Sequence, residues 1–149
     1  MRSYEHTLTI DASPLVVWAL TADVERWPSM FPTVTSAERL DDGPLRVGSK
    51  ARLKQPGQPH RVWTVTEFVP DRRFVWTTGA KGFTMVATHT LTRHARTETD
   101  LEGTVNTLRI EVHGPLAIAI AALAGRRIRR LLTIENQGLR DAAMANNRR

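Results

Sequence analysis

Cysteine is absent from the 149 residues. That removes disulfides, thiolate nucleophiles and cysteine-ligated zinc, and it fits a reduced, cytoplasmic setting. Tyrosine occurs once, as Tyr4, so phenol-based acid catalysis rests on one residue at the start of a strand. No apolar run reaches the roughly 18–20 residues that cross a bilayer, so no integral membrane association is expected. The opening "MRSYEHTLTI" carries polar and charged groups where a secretory signal needs an unbroken apolar stretch. A Gly-rich phosphate loop, a Gly-x-Ser-x-Gly nucleophile signature and a histidine pair at the spacing of helical zinc ligands are also missing. No metal or cofactor is implied. With no internal repeat or linker, a chain of this length predicts a single domain over 1–149.

Charge of one sign is in excess, at a formal +6. The densest basic cluster is "GRRIRR", with Arg126, Arg127, Arg129 and Arg130, and the chain ends in Arg148 and Arg149. Elsewhere bases alternate with acids and threonines along strand-like segments, which argues against nucleic acid as a partner. The cluster reads as a solvated helix face or as a peripheral contact for anionic lipid through Arg126, Arg129 and Arg130. The oligomeric state has no signature in the sequence.

What is present is a run of short periodic segments. "SYEHTLTI" alternates, with His6, Leu8 and Ile10 on one face. "DASP" supplies helix-start chemistry, Ser13 as N-cap and Pro14 at the first helical position. That helix is expected to reach about Arg26 and to stop ahead of Pro28, because a residue before proline is pushed out of the α region. About six strand-like segments follow between Val34 and Gly114. In "SKARLKQ" Ala51 and Leu53 alternate with Lys50, Arg52 and Lys54. In "RVWTVTEFV" and "RRFVWTT" the alternating positions are Trp63 and Val65, then Phe74 and Trp76. "FTMVATHTLT" and "TDLEGTVNTLRIEV" complete the series, rich in Thr and Val as strands prefer.

The longest helical segment is "HGPLAIAIAALAGRRIRRLLTIENQGLRDAAMA". At 100° per residue its apolar positions from Leu116 to Ala142 fill an arc roughly 160° wide, with Arg126, Arg129, Arg130, Thr133, Asn136, Gln137 and Arg140 opposite. Glu135 falls near the centre of the apolar arc. A carboxylate there must be paired, hydrogen-bonded or protonated, so Glu135 either fixes the helix through a strand residue or anchors the bottom of an apolar cavity. His89 shares a strand face with Phe83, Met85, Ala87 and Leu91. It is either a satisfied core histidine or an acid–base group. An antiparallel sheet must bury one face against this helix, and a sheet wider than one helix has to curl, which opens a cavity.

The stretch "SPLVVWALTADVERWPSMFPTV" closely resembles the opening motif of the polyketide cyclase/dehydrase-like members of the START-like (SRPBCC) superfamily. The ending "HGPLAIAIAALAGRRIRRLLTIENQGLRDAA" is similar to that family's Gly-Pro-initiated final helix. The resemblance implies an α+β helix-grip fold, in which a seven-stranded antiparallel sheet curls around a long C-terminal helix, with one or two short helices after the first strand. It also implies a small hydrophobic ligand in an internal pocket.

The expected lining comprises Trp27, Met30 and Phe31 as an apolar rim. From the strands come Trp63, Val65, Phe74, Trp76, Thr78, Met85, Asn106 and Leu108, and from the helix Ile128, Leu131 and Leu132. Three functional readings remain open: binding of a lipid-, polyketide- or aromatic-like molecule; a cyclase, aromatase or dehydratase using His89 and Glu135; and an interaction module for a protein or anionic lipid.

Overall fold

A computed structural model describes residues 1–95 and 102–147. The chain opens with strand β1, Arg2–Ile10, in which Tyr4 and Ile10 are buried and the outward residues are exposed. Helix α1, Pro14–Ala22, begins as the sequence requires: the Ser13 side chain accepts a hydrogen bond from the Val16 amide, and Pro14 occupies the first turn.

Its end departs from expectation. The helix stops at Ala22, because Asp23 leaves the helical region at φ −91°, ψ 70°, and a single 3₁₀ turn follows over Val24–Arg26. Pro28 then lies in the first turn of a short helix α2, Trp27–Met30, so it opens a helix instead of ending one. Trp27 takes α geometry (φ −54°, ψ −38°) despite preceding a proline. Its ring is 4% exposed and its Nε1–H donates to the Thr21 carbonyl at 3.3 Å. Burying an indole, worth about 2–3 kcal/mol, outweighs the pre-proline preference.

The remaining strands are β2 Ser36–Arg39, β3 Lys50–Lys54, β4 Arg61–Val69, β5 Arg73–Ala80, β6 Phe83–Ala95 and β7 Glu102–His113. The segment "TDLEGTVNTLRIEV" begins before β7, and its residues 99–101 lie outside those described. All seven strands form one antiparallel sheet in the order β1-β7-β6-β5-β4-β3-β2. The first strand thus closes against the last. A register shift between Val65 and Glu67 bulges β4, and such bulges increase local twist. Helix α3, Ala117–Asn147, packs on the concave face. This is the helix-grip arrangement expected from the sequence. No helix among the described residues is long and apolar enough to cross a membrane.

The buried side of α3 comprises Ala117, Gly125, Ile128, Leu132, Asn136, Leu139 and Ala143. On a wheel of 100° per residue its centre is turned by about 70° from the centre of the apolar arc. Asn136, assigned from the pattern to the polar side, is therefore wholly buried and belongs to the core. Its Oδ1 accepts from Asn106 Nδ2 at 2.8 Å, and its Nδ2 lies 2.9 Å from His6 Nδ1. The cluster ties α3 to β7 and β1. Buried amides need such partners. The other part of the apolar arc, near Leu131 and Glu135, faces a cavity between helix and sheet.

Gly138 explains how α2 reaches α3. A Cβ at this position would stand 2.9 Å from Phe31 Cδ1 and closer still to the Met30 carbonyl oxygen. Only glycine admits this approach.

Candidate functional site

The core divides into two clusters. One is built around Trp18, Trp27, Phe74 and Trp76, the other around Tyr4, Leu108, Val112 and Leu132. Between them, under the uncovered part of the α3 arc, lies a cavity of about 80 Å³. Met85 and Ile110 touch both clusters and form part of its wall. The volume is small beside the roughly 300–1,000 Å³ of ordinary ligand pockets. A ring-sized occupant therefore requires flexible wall residues such as Met85 or Leu131 to shift.

Nine of the residues singled out in the sequence line this cavity. Trp27, Trp63, Trp76, Met85 and His89 come from α2 and the sheet; Ile128, Leu131, Leu132 and Glu135 come from α3. The others do not line it. Phe31 is 5% exposed and, with Met30, packs on α3 at Gly138. These two fasten α2 down and form no rim. Val65 and Phe74 are sealed in the core, and Leu108 belongs to the second cluster. Thr78 donates its hydroxyl to the Val62 carbonyl at 2.8 Å, and Asn106 is committed to Asn136.

Val34, Leu53, Gln55, Gln58, Ala87 and Ile110, none of them in the expected lining, also line the cavity. Leu53, Ala87 and Ile110 were recoverable, since each lies two residues from an inward-facing neighbour on its strand. Gln55 and Gln58 carried no signal, because turn glutamines look solvated. Their turn is tethered from both sides. Lys54 Nζ donates to the carbonyls of Gln55 and Gln58, and Arg127 of α3 donates to the carbonyl of Pro56.

One end of the cavity is aromatic. Trp27 and Trp63 lie 5.2 and 5.5 Å from Trp76, and His89 stacks on Phe74 at 4.5 Å and an interplanar angle of 5°. His89 is 8% exposed, and its imidazole forms no hydrogen bond among the described residues. Desolvation by these rings lowers its pKa to about 4, so it is neutral at pH 7. The Trp63 Nε1–H is buried with no partner among the described residues, which costs about 1–3 kcal/mol.

Glu135 is part of the wall that α3 supplies. Thr33 Oγ1 donates to its Oε1 at 3.2 Å. Desolvation raises its pKa to about 7, with the Thr33 hydrogen bond acting in the other direction. By accessible area the residue is only half-buried. That area includes cavity wall, however, and the depth of the carboxyl below the surface decides its solvation. Among the described residues no lysine or arginine lines the cavity. Glu135 and His89 face the same space, but no hydrogen bond or ion pair joins them among the described residues. The expected acid–base pair is thus two separate groups at rest. Among the described residues no group of three His, Cys, Asp or Glu side chains is placed to hold a metal.

Comparison with known proteins agrees with this architecture. A family model described as "Polyketide cyclase / dehydrase and lipid transport" matches residues 1–143. A protein of Streptomyces halstedii called "Putative polyketide cyclase" is 38% identical over 77 residues, which cover 48% of this chain and 67% of the relative. A START superfamily protein from Mycobacterium smegmatis has a TM-score of 0.66 at 17% identity, covering 96% of this chain and 97% of that one. The ZhuI aromatase/cyclase from Streptomyces sp. R1128 has a TM-score of 0.66 at 20% identity, covering 97% and 92%. At these identities the two structures share the fold.

Proposed function

The chain belongs to the polyketide cyclase/dehydrase and lipid-transport family, and we propose that its cavity takes a small, largely aromatic molecule carrying no negative charge, with Glu135 exchanging a proton with it. The observation that carries this reading is the composition of the wall. Three tryptophans and aliphatic side chains make up most of a wall that also holds His89, Gln55, Gln58 and one carboxyl, whose partner is a threonine hydroxyl, with no lysine or arginine among the described lining residues. Apolar walls supply binding energy at about 25 cal/mol per Å², while the few polar groups fix orientation. An anionic ligand held about 5 Å from an ionised Glu135 would be repelled by about 3 kcal/mol at an effective dielectric of about 20, or on the order of 100-fold in affinity.

Quenching of tryptophan fluorescence at pH 8 tests the reading, with 2-naphthol and 2-naphthoate as matched probes. The phenol should bind at least tenfold tighter than the carboxylate, and Glu135→Gln should narrow the gap. Equal binding of the two probes to the wild type would end it.

A second reading, catalysis, draws on the same carboxyl. A group with a pKa of about 7 suits general acid–base work at neutral pH. The relative described as a polyketide cyclase suggests the reaction class, closure or dehydration of a flexible oxygenated chain that the walls hold folded. In this reading Glu135 moves the proton. His89, neutral and desolvated, offers one ring nitrogen as donor and the other as acceptor to a substrate oxygen. Glu135→Gln should abolish turnover of an oxygenated chain substrate while leaving 2-naphthol binding intact. Unchanged turnover in both Glu135→Gln and His89→Gln would exclude it.

A further inference from the structure

The outward face of α3 carries two features in succession along its axis. In the first turns Ile118 and Leu123 are 70% and 89% exposed, with Ala119 and Ala122 exposed beside them. At 100° per residue these four share one arc about 140° wide, and Arg126, Arg129 and Arg130 fall in the same arc. At 1.5 Å per residue the arginines lie about 12 Å further along the axis. All three are exposed. None takes part in an ion pair among the described residues. The sequence holds no acidic residue between Glu111 and Glu135. Beside this face, a groove of about 510 Å³ separates α3 from the start of β1, lined among others by Arg2, Tyr4, Leu123, Arg126 and Arg129. The Arg129 guanidinium lies over the Tyr4 ring at 5.4 Å.

We infer that this face of α3 docks on an anionic lipid surface, with Ile118 and Leu123 entering the interface and Arg126, Arg129 and Arg130 set against the phosphates. Exposed aliphatics occur singly elsewhere on the chain, but here two of them share one arc with three arginines outside any ion pair among the described residues, and a nucleic acid would find no use for the aliphatics. A second copy of the chain on a two-fold axis would bring two sets of uncompensated arginines into one interface. An anionic bilayer satisfies both features, because apolar side chains on a docked helix face enter the interface while arginines further along the same face meet the phosphates. The docking is independent of what the cavity binds.

The test is co-sedimentation of the full chain with phosphatidylcholine vesicles, with and without phosphatidylglycerol, followed by analytical ultracentrifugation. The protein should sediment with phosphatidylglycerol-containing vesicles and not with phosphatidylcholine alone. Each replacement of Arg126, Arg129 or Arg130 by Gln should weaken binding about fivefold, and Leu123→Glu should abolish it. Thermal melting of the Arg126, Arg130 and Leu123 variants should match the wild type, since these side chains are exposed, while Arg129→Gln also loses its contact with Tyr4 and should melt slightly lower. Absence of binding to either vesicle, equal binding to both, or full binding by Leu123→Glu would overturn the inference. A dimer that Leu123→Glu dissociates would overturn it in favour of a second copy.

Discussion

Glu135→Gln separates the charge of this residue from its shape. Glutamine keeps the oxygen that accepts from Thr33 but never ionises. In the wild type the carboxyl titrates at about 7 against an ordinary value of 4.5. The folded state therefore holds a proton that the unfolded chain releases. Stability from this group is fully present below pH 4.5 and is lost as pH rises through about 7. At about 1.4 kcal/mol per pH unit the loss is on the order of 3 kcal/mol, or roughly 6–12 °C in Tm for a chain of this size. His89 works in the opposite sense. Its pKa, lowered to about 4 from 6.5, contributes stability that is present above pH 6.5 and lost as pH falls toward 4. In the wild type alone the two trends partly cancel between pH 4.5 and 6.5. The comparison of wild type with Glu135→Gln removes the histidine contribution. Thermal melts from pH 4.5 to 8.5 should show the variant gaining on the wild type as pH rises, with a plateau above pH 8. Parallel curves across the range would refute the desolvation argument, and with it the role of Glu135 as a proton-exchanging group.

Other perturbations probe the frame around the cavity. Gly138→Ala forces a methyl into Phe31 and the Met30 carbonyl, and should cost about 1–3 kcal/mol, read as a lower midpoint in urea. Phe31→Ala should destabilise by about 3–5 kcal/mol, while the fraction that remains folded binds 2-naphthol as the wild type does. Asn136→Leu strips partners from Asn106 and His6 and should cost about 1–3 kcal/mol, measured by chemical denaturation. Arg127→Ala releases the turn that carries Gln55 and Gln58. Amide hydrogen exchange over residues 55–60 should accelerate without a change in Tm beyond about 1 kcal/mol equivalent.

Much of the fold was legible because it rests on periodicity. Alternation in "SKARLKQ" and "RVWTVTEFV" and the helix-start chemistry of "DASP" are local signals, and each became the element it indicated. Pro28 was misread because the sequence shows its ring but not the burial of Trp27, which holds the preceding residue helical. Asn136 was misplaced for a related reason. Helical periodicity identifies an apolar arc, but the sheet decides which part of that arc it covers, and here β1 and β7 cover a side that includes an asparagine. The same rotation leaves Glu135 and Leu131 facing open space. Glu135 stood out as an acid within an apolar arc. Met30 and Phe31 look like a pocket rim in a one-dimensional pattern, and only the close approach of Gly138 shows that they fasten α2 to α3. The lining glutamines depend on where a turn folds back, which no local pattern records.

The central claim is that the cavity holds a neutral, aromatic-rich molecule, and native mass spectrometry of freshly purified protein tests it most directly. The expected result is an adduct that, once released, proves to be uncharged and aromatic, and that 2-naphthol displaces. A co-purified fatty acid, or an adduct that 2-naphthoate displaces as readily as 2-naphthol, would contradict it.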